Sequence, residues 1–179
     1  MDWLQVARDI GFEQAEKLNS ASLCARDEVR AMCGSGKCRI YGRRWSCPPA
    51  CGELSVCQKK MDRYCGGIIV QTVSNLEDDF DAEGIALAQA RHKLRFETIV
   101  RQLRTADKAC LPLTAGGCTR CESCTYPGRP CRYPGKMMSS MEAYGLLVSD
   151  VCNASGLAYN YGPKTIAFTS CILTDLNLN

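Results

Sequence analysis

The chain has 179 residues, of which 46% are hydrophobic and 23% charged, and it contains no apolar run long enough for a membrane span. This length and composition predict one folded domain, exclude a disordered chain, and lead us to expect no membrane partner. The formal net charge of +3 does not indicate a nucleic-acid-binding protein, and the single histidine excludes a multi-histidine metal centre.

The first part of the chain, residues 1–65, is predicted to combine short helices with a long loop. Glycine, asparagine and serine residues separate the short helices of the first 32 residues. Residues 33–53 are rich in glycine and proline and are predicted to form a loop. A helix over residues 54–64 then leads into the first predicted strand of the sheet.

Residues 66–113 have the pattern of a βαβ unit. Residues 66–73 form a β-branched run with little alternation, which is typical of a strand covered on both faces. The segment Ser74-Asn75-Leu76-Glu77 has capping-box form, and apolar residues recur at helical spacing over residues 82–104. Residues 109–113 predict a short strand, whose proline indicates an edge position or an early end.

The pattern then repeats, with residues 114–136 as a loop and residues 137–179 as a helix, over 138–155, and a final strand, over 164–173. We therefore predict an α/β fold with a small, mainly parallel sheet flanked by helices. In a right-handed parallel unit the helices run opposite to the strands, so the loops on either side of this unit should meet at the carboxyl edge of the sheet.

Fourteen cysteines dominate the chemistry of the chain, and nine of them form two dense groups. The first cysteine group is Cys33, Cys38, Cys47, Cys51 and Cys57, and the second is Cys118, Cys121, Cys124 and Cys131. The amino terminus has an acidic residue at Asp2 and no apolar segment of secretory-signal type, so we expect a cytoplasmic protein. In a reducing compartment, closely spaced thiols are more often metal ligands than disulfides.

The second cysteine group indicates an iron–sulfur cluster. Cys118, Cys121 and Cys124 follow one another with two residues between them, a spacing that lets three sulfurs reach three corners of a [4Fe-4S] cube. A zinc site more often uses two separate Cys-x-x-Cys pairs, although zinc stays an alternative. Cys131 is the candidate fourth ligand, either of this cluster or of the other one.

The first cysteine group contains five thiols, one more than the four ligands that a [4Fe-4S] cluster needs. Cys47 precedes a diproline, which presents its thiol on a stiff turn. We choose Cys33, Cys38, Cys47 and Cys57 as ligands, with Cys51 as the replacement for Cys57. The sequence therefore predicts two [4Fe-4S] clusters, and a third or larger cluster that uses the remaining cysteines is an open alternative.

These motifs resemble a family of uncharacterised, predicted metal-binding proteins from anaerobes. The resemblance is carried by residues 38–49, 117–124, 130–134 and 140–145 and extends over nearly the whole chain. It implies metal bound by cysteine, in iron–sulfur form, and implies no particular reaction. Three cysteines lie outside the family pattern: Cys51, Cys65 and Cys171.

Other polar residues have less specific roles. Arginines and lysines crowd both cysteine groups, where they can compensate thiolates and clusters of net negative charge, or recognise a small anionic substrate or an acidic redox partner. His92 lies on the apolar stripe of the central helix and is predicted to be a core residue. Glu142 is either a capping residue, an ion-pair partner of Arg132, or a proton donor beside a cluster.

Three functions fit this sequence. The first is electron transfer from two fully ligated clusters to a partner enzyme. The second is an enzyme of lyase or desulfidase type, in which a cluster with only three protein thiolates leaves one iron open. The third is a zinc-stabilised interaction module. Base-stacking aromatic residues are not interleaved with the basic residues, so we expect no nucleic-acid partner.

Overall fold

The computed structural model describes residues 2–106 and 108–175, which form a mixed α/β fold. The helices are α1 (Trp3–Ile10), α2 (Asp27–Gly34), α3 (Leu54–Met61), α4 (Ala82–Thr105) and α5 (Val148–Ala154). The strands are β1 (Gln14–Lys17), β2 (Gly67–Asn75), β3 (Leu111–Thr114), β4 (Ser139–Ser140) and β5 (Thr165–Leu173). Short 3-10 helices lie at Ser20–Ser22, Pro134–Lys136 and Glu142–Tyr144.

The sheet has the order β1-β2-β5-β3-β4 and is mostly antiparallel, so the prediction of a mainly parallel sheet is wrong. Among the strands of residues 2–106 and 108–175, only β3 and β4 pair in parallel, whereas β5 is antiparallel to both of its neighbours. The segment between β4 and β5 does not contain the long crossover helix that the prediction requires, since α5 is short. Its 7 residues span about 10 Å, against about 30 Å for a nine-residue strand. The chain therefore enters β5 from the edge at which β4 ends, and β5 runs back against β2 and β3.

The predicted βαβ unit is present in split form. Strands β2 and β3 run in the same direction, because each is antiparallel to β5, and α4 connects them. β5 lies between them. The proline in β3 marks an early end rather than an edge, since the strand has 4 residues and pairs on both sides.

Several predicted boundaries differ from those observed. The amino-terminal segment contains the strand β1 as well as helices, and the stretch predicted as a helix over 138–155 contains only α5, after β4 and a 3-10 turn. Helix α4 is capped by Asp81, whose Oδ1 accepts a hydrogen bond from Gly84 N at 2.8 Å, and not by the predicted box at Ser74. β1 has no β-branched residue, so its conformation comes from pairing with β2.

Buried residues form two cores, one on each face of the sheet. Helices α1 and α4 cover one face of the sheet, to which Ile68, Val70 and Ile172 contribute side chains. Helices α3 and α5 cover the other face, to which alternate strand residues such as Ile69 and Cys171 contribute. Cys152 and Cys171 are fully buried in the second core, as expected for cysteines that act as small hydrophobes. No helix in the described part of the chain is both long enough and apolar enough to cross a bilayer.

Candidate metal centre

The loops that carry the two cysteine groups pack directly against each other. The Arg44 guanidinium donates a hydrogen bond to the Cys118 carbonyl, and Cys118 N donates to Ser46 Oγ at 3.3 Å. One residue further along, Trp45 Nε1 donates to the Arg129 carbonyl at 3.0 Å. Residues around Cys47 are therefore anchored to both ends of the second group.

The two loops approach each other closely at Gly117. A Cβ atom at this position would overlap Ile40 Cδ1 and would lie 3.4 Å from Cys47 Sγ. The Gly117 carbonyl accepts a hydrogen bond from Lys93 Nζ, on α4, at 3.0 Å. The end of β3 therefore delivers the second cysteine group into contact with the first, and only a residue without a side chain fits there.

The second cysteine group lines one narrow cavity. Its four thiols share this cavity, of about 20 Å³, with Arg44, Trp45, Ser46 and Met137. Partial burial acts to raise the pKa of Cys124, but hydrogen bonds from backbone N–H groups at Tyr126 and Trp45 outweigh it, so that the pKa is lowered. Amides directed at a thiolate in this way are typical of cluster-binding loops.

Side chains within the second loop hold its shape. Thr125 Oγ1 donates to the Pro130 carbonyl at 2.9 Å, and Arg132 Nη1 donates to the Ser123 carbonyl at 2.8 Å. Arg132 thus supports the loop that bears the cysteines. The predicted ion pair between Arg132 and Glu142 does not form within the described residues.

Three thiols of the first cysteine group line a larger cavity, of about 650 Å³. These are Cys33, at the end of α2, with Cys38 and Cys47 from the loop. Burial raises the pKa of Cys33, and the nearby Cys38, Glu142 and Cys47 add to this effect. Much of the remaining lining is apolar and includes Val29, Met32, Ile40 and Tyr41. The three thiols therefore border a space that could admit a small molecule.

Glu142 also borders this cavity and starts the 3-10 turn that follows β4. Its Oε2 atom is buried and has no hydrogen-bond partner among residues 2–106 and 108–175. Buried polar atoms in folded proteins nearly always have a partner, so an orphaned carboxylate oxygen points to a group that the protein atoms do not supply. Three thiols and this carboxylate thus surround one space.

The other two thiols of the first group, Cys51 and Cys57, form a separate pair. The Nη2 atom of Arg30, on α2, lies 3.4 Å from Cys57 Sγ and 3.7 Å from Cys51 Sγ. A hydrogen bond with Cys51, helped by the Arg30 charge, lowers the pKa of Cys57 to about 6 against the effect of burial. The same hydrogen bond, together with burial, raises the pKa of Cys51. The choice of Cys57 as the fourth ligand stays a prediction, and the thiol that faces the large cavity with Cys33 and Cys38 is Cys47.

The remaining candidates lie away from the loops. His92 is fully buried, with Nδ1 3.0 Å from Thr72 Oγ1 and Nε2 2.7 Å from Ser170 Oγ, and burial lowers its pKa to about 3. It is a core histidine, as the sequence predicts. Cys65 is exposed and lies 3.3 Å from the Asp175 carboxylate.

The second cysteine group gathers four thiols around one cavity, beside backbone amides that lower the pKa of Cys124. In the described residues, no three histidine, cysteine, aspartate or glutamate side chains are disposed to hold one metal ion. The four ligands of a cubane bind four different irons and stand farther apart than those of a tetrahedral ion. Thiolates are ligands of iron–sulfur clusters and of zinc alike, so the four thiols of the second group could hold either.

Sequence reasoning missed Arg30, because its contacts with Cys51 and Cys57 join residues that are 21 and 27 positions apart in the chain. It also did not identify a basic cavity of about 560 Å³, which Arg101 and Arg104 of α4 form with Arg120 and Lys136. The basic residues around the cysteines in the sequence indicated a positively charged region. Only the fold shows that α4 contributes Arg101 and Arg104 to it.

The fold and the site define a cysteine-rich α/β protein in which two loops join to form a candidate metal centre. Residues 16–174 match the family model described as predicted metal-binding protein (DUF2284), and the chain belongs to this family. The searches of curated proteins and of solved structures returned no match.

Proposed function

We propose that this protein binds two [4Fe-4S] clusters and transfers electrons to a partner enzyme. One cluster would be held by Cys118, Cys121, Cys124 and Cys131. The other would be held by Cys33, Cys38 and Cys47, with Cys57 as the predicted fourth ligand. The observation that carries this proposal is that the four thiols of the second group line a single cavity, beside backbone amides that lower the pKa of Cys124.

The contact between the two loops supports an electron-transfer role. A [4Fe-4S] cluster supplies one-electron transfer, at a potential set by hydrogen bonds, charge and burial. The protein contributes the spacing, because Gly117 brings Cys118 and Cys47 to neighbouring positions and the Arg44–Cys118 hydrogen bond fixes them. Two sites held in one rigid unit in this way allow electrons to move without a change of fold.

A basic surface beside the second cysteine group supports an acidic redox partner. Arg101, Arg104 and Lys136 line the 560 Å³ cavity together with Arg120, which belongs to the second loop. Arg120 is paired with Glu97 at 2.9 Å, so the other cations account for most of the positive charge. Complementary charge of this kind raises the rate of association and makes it sensitive to salt.

The proposal is tested by removing one ligand from each group. We expect Cys121→Ala and Cys33→Ala each to lose about half of the iron and sulfide of the anaerobically purified protein, because each variant loses one of two clusters. Cys110→Ala is the control, since Cys110 precedes β3 and belongs to neither group. Unchanged iron in Cys121→Ala would contradict the proposal.

The cavity at the first group favours a second candidate, an enzyme with an open-coordination cluster. Only three thiols border this cavity of about 650 Å³, and the orphaned Glu142 carboxylate lies on its wall as a proton donor or acceptor. The apolar walls suit a small substrate with an apolar body, in a lyase or desulfidase type of reaction.

Two measurements separate the candidates. Cys57→Ala should lose the first cluster if Cys57 completes it, and should keep the cluster if one iron is open. The electron paramagnetic resonance spectrum of the reduced protein should change on adding a small thiol only in the open version, because a four-cysteine cubane has no free position.

A further inference from the structure

Glu142 is held beside the first cysteine group by a well-anchored turn. Its carbonyl accepts a hydrogen bond from Gly145 N at 2.9 Å, in the 3-10 turn that follows β4. Ala143 N donates to Ser140 Oγ at 3.1 Å, and the Ala143 carbonyl accepts from Arg30 Nη2 at 2.6 Å. Both neighbours of Glu142 in the chain are buried. The backbone that carries the Glu142 carboxylate is therefore fixed at the wall of the 650 Å³ cavity.

Among the described residues that border this cavity, Glu142 is the only one with a carboxylate. The serine hydroxyls at the cavity are already bonded to the backbone: Ser35 Oγ donates to the Met32 carbonyl at 2.8 Å, and the other hydroxyl accepts from an amide. Lys37 also borders the cavity, but it forms no ion pair with Glu142 within residues 2–106 and 108–175. The buried Oε2 atom, which has no partner in that part of the chain, is thus available to a bound group.

The predicted fourth ligand, Cys57, does not border this cavity. It is completely buried, and its Sγ atom lies 3.4 Å from Arg30 Nη2 and 3.9 Å from the Cys51 carbonyl. Cys51 borders a different cavity, of about 350 Å³. Three thiols and one carboxylate therefore share the larger cavity, and the remaining two thiols of the first group lie outside it.

We propose that the Glu142 carboxylate, and not Cys57, is the fourth protein ligand of the cluster at the first cysteine group. This inference rests on the proposed [4Fe-4S] cluster at that group, and it replaces the ligand that sequence spacing favours. A carboxylate carries the same single negative charge as a thiolate and also binds iron. Thiolates suit iron–sulfur clusters better than carboxylates do, so Glu142 is the protein ligand that a small molecule displaces most easily.

The lining of the cavity defines the class of molecule that takes this position. A soft sulfur donor is preferred at a cluster, and a thiolate replaces the carboxylate without a change in charge. Val29, Met32 and Ile40 provide apolar surface for the rest of the molecule. The site therefore accepts a small thiolate with an apolar body, which is a ligand class that fits the open-coordination candidate.

The test compares Glu142→Gln with wild-type protein, both anaerobic and iron-loaded, by electron paramagnetic resonance of the reduced state. Glutamine keeps the size of the side chain but removes its charge and is a poor iron ligand. The probe is benzyl mercaptan, and benzyl alcohol, which has the same apolar body without sulfur, should cause no change. If the carboxylate occupies the iron about nine-tenths of the time, Glu142→Gln should respond at a roughly tenfold lower concentration of benzyl mercaptan than wild type.

Two further variants serve as controls. Glu28→Gln removes an exposed carboxylate from α2 and should titrate like wild type. Cys57→Ala should keep the iron content and the spectrum of wild type. If Glu142→Gln loses about half of the iron while its circular dichroism spectrum is unchanged, this also supports a ligand at Glu142.

An infrared measurement on the wild-type protein needs no variant. Difference spectra with and without benzyl mercaptan should contain carboxylate bands that shift when glutamate is labelled with ¹³C, because the thiolate releases the carboxylate from iron. The inference would be overturned by the absence of such bands, by a Glu142→Gln variant that titrates like wild type, or by loss of about half of the iron in Cys57→Ala. Full iron content in Cys33→Ala would instead remove the cluster on which the proposed function itself rests.

Discussion

Replacing Gly117 with alanine tests whether the two cysteine groups form one packed unit. The φ angle of Gly117 is not in the left-handed region, so the cost of a side chain is purely steric. The new methyl group would overlap Ile40 Cδ1, and the next neighbours are Cys47 Sγ at 3.4 Å and Ile40 Cγ1 at 3.7 Å. Overpacking of this kind costs about 2 kcal/mol of unfolding free energy.

Ile40→Val supplies the matched rescue, because it removes the one carbon atom that the alanine would overlap. Ile40 is only partly buried, so the single change should cost about 0.5 kcal/mol. The double variant should then be more stable than the sum of the two single changes predicts, by at least about 1 kcal/mol. Gly128→Ala, in the same loop, has no atom within 4 Å of its new methyl group and should be neutral.

The assay is urea unfolding of anaerobic, iron-loaded protein followed by circular dichroism, with the rate of iron loss to a chelator as a second readout. Gly117→Ala should unfold at lower urea and release iron faster than Gly128→Ala. If the two alanine variants behave alike, or if Ile40→Val leaves the cost of Gly117→Ala unchanged, the contact between the loops is not as described.

Three further predictions concern the surrounding fold. His92 has its pKa lowered to about 3 by burial, so acid favours the unfolded state as the pH falls below about 6.5. The free energy of unfolding should drop by about 2 kcal/mol between pH 7 and pH 5, and urea titrations of His92→Gln should show a drop smaller by that amount. Gly145→Ala should lower the melting temperature more than Gly156→Ala: both have positive φ, but only at Gly145 would the Cβ lie 2.7 Å from Leu54 Cδ2. Cys171→Ala should cost about 1 kcal/mol in urea unfolding and leave the iron content unchanged, because Cys171 is a core residue; a loss of iron would make it a ligand.

The long, regular elements could be predicted from the sequence because their patterns are local. Strand β2, helix α4 and strand β5 were each expected within a few residues of their observed bounds. Periodicity over a long stretch identifies a buried face whatever lies next to it. The burial of His92 on α4 followed from the same periodicity.

Whether the strands run parallel or antiparallel could not be predicted from local patterns. It depends on the path of the chain between β4 and β5. The helix predicted over residues 138–155 is too long, because this stretch forms β4, a 3-10 turn and only 7 residues of α-helix. β1 was missed because its pairing with β2, and not its own residues, makes it a strand.

The sequence predicts which cysteines are candidate ligands, and this ligand set stays a prediction, whereas the internal arrangement of the loops could not be predicted. Sequence spacing groups Cys118 with Cys121 and Cys124, and the fold keeps them together around one cavity. In the first group, spacing alone could not reveal that Cys51 and Cys57 contact Arg30, a residue on a different helix. Long-range contacts of this kind carry no signal in the local pattern.

The most direct measurement of the central proposal is the iron, sulfide and zinc content of wild-type protein purified without oxygen. Two [4Fe-4S] clusters predict about eight irons and eight sulfides per chain, with no zinc. Colourless protein that contains zinc, or that contains no metal and has its cysteines joined in disulfides, would contradict the proposal.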